Sequence, residues 1–146
     1  MQLQIYRSLW GAGEDYASIA AQARAAGFDG LEGQLPSHAH GFAALSRALR
    51  EHALRYIGEI CTGGSLSAYW IPVRGASVDE HLRTLAVGIE DLLDCGIPFE
   101  FINCMAGLDA WPLAASIDFF GRAMALGATQ GVALSFETHR ARSMFS

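Results

Sequence analysis

The chain has 146 residues, of which 51% are apolar and 17% charged, a balance that supports one packed core and excludes a disordered tail. A net charge of −5 without a basic cluster argues against a nucleic-acid partner, and no stretch has the apolar length of a membrane span or, at residues 1–10, the character of a signal peptide. The expected setting is therefore the cytoplasm, and because all ten basic residues are arginine, lysine Schiff-base chemistry and Walker-type phosphate binding are ruled out.

Leu3-Gln4-Ile5-Tyr6 alternates like a short strand, and Trp10 to Gly13 reads as a turn. Glu14 to Ala26 carries Ile19, Ala23 and Ala26 on one helical face, with acids in the first turn and Gly27 past the end. Phe28 to Gly33 is a second strand, with Glu32 near its exit. A loop from Gln34 to Gly41 holds Pro36, His38 and His40.

Phe42, Leu45 and Leu49 mark a second helix, and Arg55 to Cys61 a third strand that empties into Thr62-Gly63-Gly64-Ser65, read as a long loop to Gly75. Ser77 and Glu80 have the spacing of a capping box, and Leu82, Leu85, Ile89 and Leu92 make one helical face up to Gly96. Phe99 to Cys104 is a fourth strand with Ala106 to Trp111 as its exit loop. Pro112 suits the first turn of a helix faced by Leu113, Ile117, Phe120 and Met124 and closed by Gly127. Val132, Leu134 and Phe136 then form a buried fifth strand, and Glu137 falls where it leaves the core.

The order β-α-β-α-β-α-β-α-β predicts an α/β fold with a parallel sheet in one domain over 1–146, with no linker inside it. A dinucleotide-binding sheet would need GxGxxG after the first strand, and Gly11-Ala12-Gly13 lacks that spacing. A (β/α)8 TIM barrel instead puts functional residues at several strand exits, as with Glu32, Asn103 and Glu137. Such a barrel runs to about 250 residues, so the chain corresponds to about five parallel strands with four helices.

Phe28 to Glu32, Phe101 to Trp111 and Phe136-Glu137-Thr138-His139-Arg140 together resemble the second, fourth and fifth strands of the xylose-isomerase-like TIM-barrel family of sugar phosphate isomerases and epimerases. The resemblance covers the whole chain but only the N-terminal portion of that family's barrel. It implies a divalent metal, Mn²⁺ or Mg²⁺ with Co²⁺ or Zn²⁺ as substitutes, and a small sugar or sugar phosphate as substrate. It further implies that Glu137 is one metal ligand of four, the others lying beyond Ser146, and a candidate catalytic base.

Moving a carbonyl along a sugar needs a base for the α-proton and positive charge for the enediolate, roles open to a carboxylate beside a metal. Glu32, Trp10, Trp111, His139 and Arg140 are the candidates for substrate binding. His139 shares strand parity with Glu137, Arg140 and Arg142 are set between anion binding and a solvated surface, and the tryptophans, Trp70 among them, between sugar stacking and packing.

His38 and His40 form an HxH without a third ligand nearby, and Gly63-Gly64 is either a phosphate-approach loop or a flexible one. Cys61, Cys95 and Cys104 read as reduced thiols. Two other readings stand beside the isomerase: an endonuclease-type metal hydrolase of the same barrel, and a non-catalytic half-barrel. The hydrolase is disfavoured because Cys61-Thr62 and Asn103-Cys104 stand where histidine ligands would be. The half-barrel would expose strand edges and self-associate into a homo-oligomer.

Overall fold

A computed structural model describes residues 3–65 and 68–144, the side chains of 65–70 excepted. Strands β1 (Tyr6–Ser8), β2 (Gly30–Gly33) and β3 (Arg55–Cys61) alternate with helices α1 (Tyr16–Ala25) and α2 (Ala39–Glu51). A short antiparallel hairpin, β4 (Gly64–Ser65) with β5 (Ala68–Pro72), precedes α3 (Val78–Asp94). Then come β6 (Ile102–Met105), α4 (Leu113–Gln130) and β7 (Leu134–Phe136).

The main sheet has the order β1-β2-β3-β6-β7, all parallel where the register is defined, so successive βα units add neighbouring strands. Sequential order of this kind is the connectivity of a (β/α)8 barrel, of which the described residues form five strands and four helices; a doubly wound sheet reverses its order midway. The residues group into two compact units, Met1–Glu59 with Leu92–Glu100, and Ile60–Asp91 with Phe101–Ser146.

In the first unit Asp15 caps α1 by accepting from the Ser18 amide at 3.1 Å, and Tyr16, Ile19, Ala20 and Ala23 are its buried side. Leu31 and Tyr56 are buried on one face of the strands. Gly58 lies on that face too, where a Cβ would come within 2.9 Å of Leu92. Register then puts Ser8, Glu32 and Ile57 in one row on the opposite face. At the entry ends, Arg55 pairs with Glu100 at 2.8 Å and Asp29 at 3.8 Å, while Tyr6 donates to Glu100. Burial, then the Glu100 bond, pushes the Tyr6 phenol up to about 12.

In the second unit the capping box is formed: the Ser77 amide donates to Glu80 Oε2 at 2.7 Å and the Glu80 amide to Ser77 Oγ at 3.2 Å, which holds the Glu80 carboxyl below its ordinary value. Other expectations are corrected. The segment expected as a long loop to Gly75 contains the β4–β5 hairpin, in which Gly64 pairs with Pro72. Pro112 is the N-cap of α4, one residue before the helix, and α4 runs on through Gly127 to Gly131, whose φ of 69° forms the stop.

The buried side of α4 is Phe119, Ala123 and Gly127, whereas Leu113, Ile117 and Met124 are 76%, 64% and 52% exposed. Phe119 wins because its ring meets those of Trp111, Phe120 and Phe136. Gly127 wins because Leu134 and the Val132 carbonyl occupy the space a Cβ would need. Strand β7, expected to be buried, is half-buried, alternates with exposed positions and stands last in the strand order. No helix among the described residues is long and apolar enough to cross a membrane.

Candidate functional site

Glu137 follows β7 by one residue, its amide donating to the Cys104 carbonyl at 2.9 Å and so extending the pairing with β6. Register sets Asn103 beside Ser135, and Cys104 beside Phe136. Phe136 and the buried Cys104 belong to the side packed by α4, and burial pushes the Cys104 thiol up to about 12. Asn103, Ser135 and Glu137 therefore share the other face. There Asn103 Nδ2 donates to Glu137 Oε2 at 3.1 Å. The amide holds one carboxylate oxygen and leaves Oε1 for another partner.

His139 and Arg140 do not join this pair. The strand ends at Phe136, and the Arg142 amide donates to the His139 carbonyl at 3.1 Å across a turn in which Ala141 takes a φ of 63°. The parity that would aim His139 along Glu137 is lost in that turn. His139 Nδ1 lies 2.9 Å from the Arg140 carbonyl, and Arg140 is exposed.

The same turn carries Arg142 inward, which corrects the surface reading. Arg142 is fully buried, with Nη1 donating to the Thr62 carbonyl at 2.5 Å. Thr62 is the centre of a knot that sequence reasoning missed. Its amide donates to the Met105 carbonyl at 3.0 Å, and its hydroxyl lies 2.7 Å from His81 Nδ1 and accepts from the Gly107 amide at 3.3 Å. Ser143 adds two further ties, to the carbonyls of Ala106 and Leu108. The exit loops of β3 and β6 and the turn after β7 are thereby fastened together.

His81 is fully buried on α3, its ring edge-on to Trp111 and Phe119. Burial first, and the Arg142 charge second, push its pKa down to about 4, so the ring is neutral at ordinary pH. Its Nε2 has no hydrogen-bond partner among the described residues and faces Gly63. The missed signal was spacing: His81 precedes Leu85 by four residues and Ile89 by eight, on the same stripe. Leu82, expected there, is half-buried. Trp111 packs on His81 and Phe119 and donates from Nε1 to the Ala76 carbonyl at 3.2 Å. Gly63 and Gly64 lead into the hairpin rather than forming a phosphate loop. The Trp70 side chain lies outside the described residues.

In the first unit Glu32 is half-buried within β2, two residues along from the buried Gly30. Glu59, 9% exposed on β3, shares its face, and Gln34 reaches Glu59 at 3.5 Å. Glu59 was legible as an acid inside an apolar run. Trp10 sits in the turn after β1, half-exposed, its amide donating to Ser8 Oγ at 3.1 Å. His38 is the N-cap of α2: Nδ1 accepts from the Gly41 amide at 2.9 Å and Nε2 lies 3.3 Å from Glu14, which gives the HxH a capping role. Among the described residues no three His, Cys, Asp or Glu side chains gather as a metal site, and Cys61, Cys95 and Cys104 are not joined in disulfides.

No family model matches the sequence, and no curated protein does either. Solved structures do match in fold. The carboxyl transferase domain of pyruvate carboxylase from Rhizobium etli, solved with pyruvate and biocytin, superposes with a TM-score of 0.59 at 20% identity over 94% of this chain and 23% of that one. The 3-keto-D-glucoside 4-epimerase of E. coli superposes with a TM-score of 0.60 at 14% identity, over 97% of this chain and 58% of the epimerase. The chain thus spans less than two thirds of each, and at these identities the likeness is one of fold.

Proposed function

We propose that the chain supplies part of the barrel of a metal-dependent sugar or sugar-phosphate isomerase or epimerase, with Glu137 as the carboxylate that meets the reacting carbon. The observation that carries the reading is the Asn103–Glu137 pair, at a strand exit and on the face that α4 leaves uncovered. The fold shared with the E. coli epimerase and the motifs around Glu32, Asn103 and Glu137 support it. A carboxylate with one oxygen held by an amide, and no second hydrogen bond from a side chain among the described residues, can take a proton from the carbon beside a carbonyl. Exposed Arg140 is the candidate for a substrate phosphate, with His139 next to it.

A divalent ion would supply the positive charge that an enediolate needs. The residues present do not complete such a site: one carboxylate and one amide fall well short of the roughly six oxygen ligands that Mg²⁺ or Mn²⁺ takes. The 146-residue chain by itself is accordingly proposed to be inactive.

The test is hydrogen exchange at carbon. Protein purified from its source, with its intact mass measured, is incubated in D₂O with a panel of ketoses, aldoses and their phosphates and Mn²⁺ or Mg²⁺. The expected result is deuterium entering beside the carbonyl of one substrate, with Glu137→Gln slowing it by about 100-fold or more. Normal exchange in a metal-loaded Glu137→Gln variant refutes the role of Glu137. No exchange with any sugar, from a source protein whose mass exceeds that of the 146-residue chain, refutes the reaction class.

A further inference from the structure

We propose that the first compact unit carries a separate small-molecule site, at the entry end of β3, which takes an organic monocarboxylate with an apolar body. A cavity of about 290 Å³ lies between the end of α2 and the segment 97–100, walled by Leu49, Ala53, Leu54, Tyr56, Ile97 and Phe99. Cavities of about 150 Å³ accept benzene, so this one has room for an aromatic ring with a short tail or a chain of about eight carbons.

The charge on its lip selects the head group. Arg50, Arg55 and Glu100 line the opening, and Glu100 is taken up by Arg55 at 2.8 Å and by the Tyr6 hydroxyl. Arg50 donates to the Ser46 hydroxyl, a neutral acceptor, and forms no ion pair among the described residues. The carbonyl end of α2, equivalent to about half a negative charge, offsets only part of that guanidinium. Asp29, 3.8 Å from Arg55, is a second carboxylate on that guanidinium, so Arg50 is the cation at the opening without a carboxylate partner among the described residues, and a carboxylate can engage Arg50 and Ser46 together while its apolar body leaves water.

Backbone geometry points to the same place. The Leu54 amide donates to the Leu49 carbonyl at 2.9 Å and the Ala53 amide to that of Arg50 at 3.2 Å, the paired bonds of a Schellman end, with Ala53 at a φ of 49°. Gly27, Gly96 and Gly131 take the left-handed conformation after the other three helices. Among the four helix ends, here alone an alanine bears the strain, and Ala53 is one of the residues that line the cavity.

The experiment titrates the protein with octanoate and, in parallel, with octan-1-ol, by calorimetry and by backbone amide shifts. Octanoate is expected to saturate one site about tenfold more tightly than the alcohol, as a charge-assisted hydrogen bond warrants, with shifts centred on Leu49, Leu54 and Phe99. Arg50→Gln, on an exposed side chain that the fold does not need, should bring octanoate down to the level of octanol, and Arg122→Gln should change nothing. Glu137→Gln should also leave binding intact, so this outcome is independent of the proposed enzyme chemistry. Equal affinity for acid and alcohol, an unaltered Arg50→Gln variant, absence of saturation, or shifts centred elsewhere each overturn the proposal.

Discussion

Replacing Gly63 by alanine tests the buried knot at its tightest point. A Cβ at residue 63 would stand 2.2 Å from His81 Nε2, 2.4 Å from Cε1 and 2.7 Å from Cδ2. The ring cannot swing aside cheaply, because Nδ1 is held by Thr62 at 2.7 Å and its faces and edges are met by Trp111 and Phe119 at centroid distances of 4.7 and 6.0 Å. A φ of 66° at residue 63 costs a side-chain-bearing residue about 1 kcal/mol, and overpacking adds about 1–3 kcal/mol. The expected loss is about 2–4 kcal/mol out of a typical total of about 5–15 kcal/mol. Urea denaturation followed by tryptophan fluorescence measures it. Repeating Gly63→Ala in a His81→Ala background removes the clash and should leave only the backbone part, about 1 kcal/mol. A single-variant loss below about 1 kcal/mol, or the same loss in both backgrounds, refutes the steric account.

Three further outcomes are expected. The unfolded chain takes a proton on His81 near its ordinary value of 6.5 and the folded chain only near 4, so His81 contributes stability that is present above pH 6.5 and lost as pH falls toward 4, about 3 kcal/mol in all. Urea midpoints from pH 7 to 4.5 should show that slope, and His81→Gln should flatten it; parallel slopes in both proteins would contradict the burial argument. Ala53→Gly should raise stability by about 1 kcal/mol by relieving the left-handed alanine, and a loss on the same denaturation curve would count against that strain. On α4, Phe119→Ala should cost about 3–5 kcal/mol and Ile117→Lys less than about 0.5 kcal/mol, and the reverse order would show that the helix is turned the other way.

The alternation of helical and strand periods was readable from residues alone, because Leu31, Tyr56, Leu85, Ile89 and Ile102 sit where a buried stripe or strand requires them. The capping box at Ser77 was readable for a similar reason: two side chains three apart satisfy each other's backbone. On α4 periodicity misled. Two apolar stripes interleave, and the one with fewer obvious aliphatics is buried because an aromatic cluster and a close glycine contact decide the rotation. Arg142 gave no signal at all. Its burial depends on a left-handed Ala141 and on a carbonyl eighty positions earlier, and neither leaves a local pattern. In the candidate site the carboxylate was legible and its partner only by register, since Asn103 and Glu137 meet across two strands.

The bonds around Thr62 bear on how freely this architecture tolerates insertions. Catalytic scaffolds of this kind diversify by lengthening the loops at strand exits. Here the backbone at Thr62, Met105 to Leu108 and Ser143 is stitched to itself, so an added residue in any of those places breaks several bonds at once. The Val73 amide adds a bond of its own to the Gly63 carbonyl at 2.7 Å.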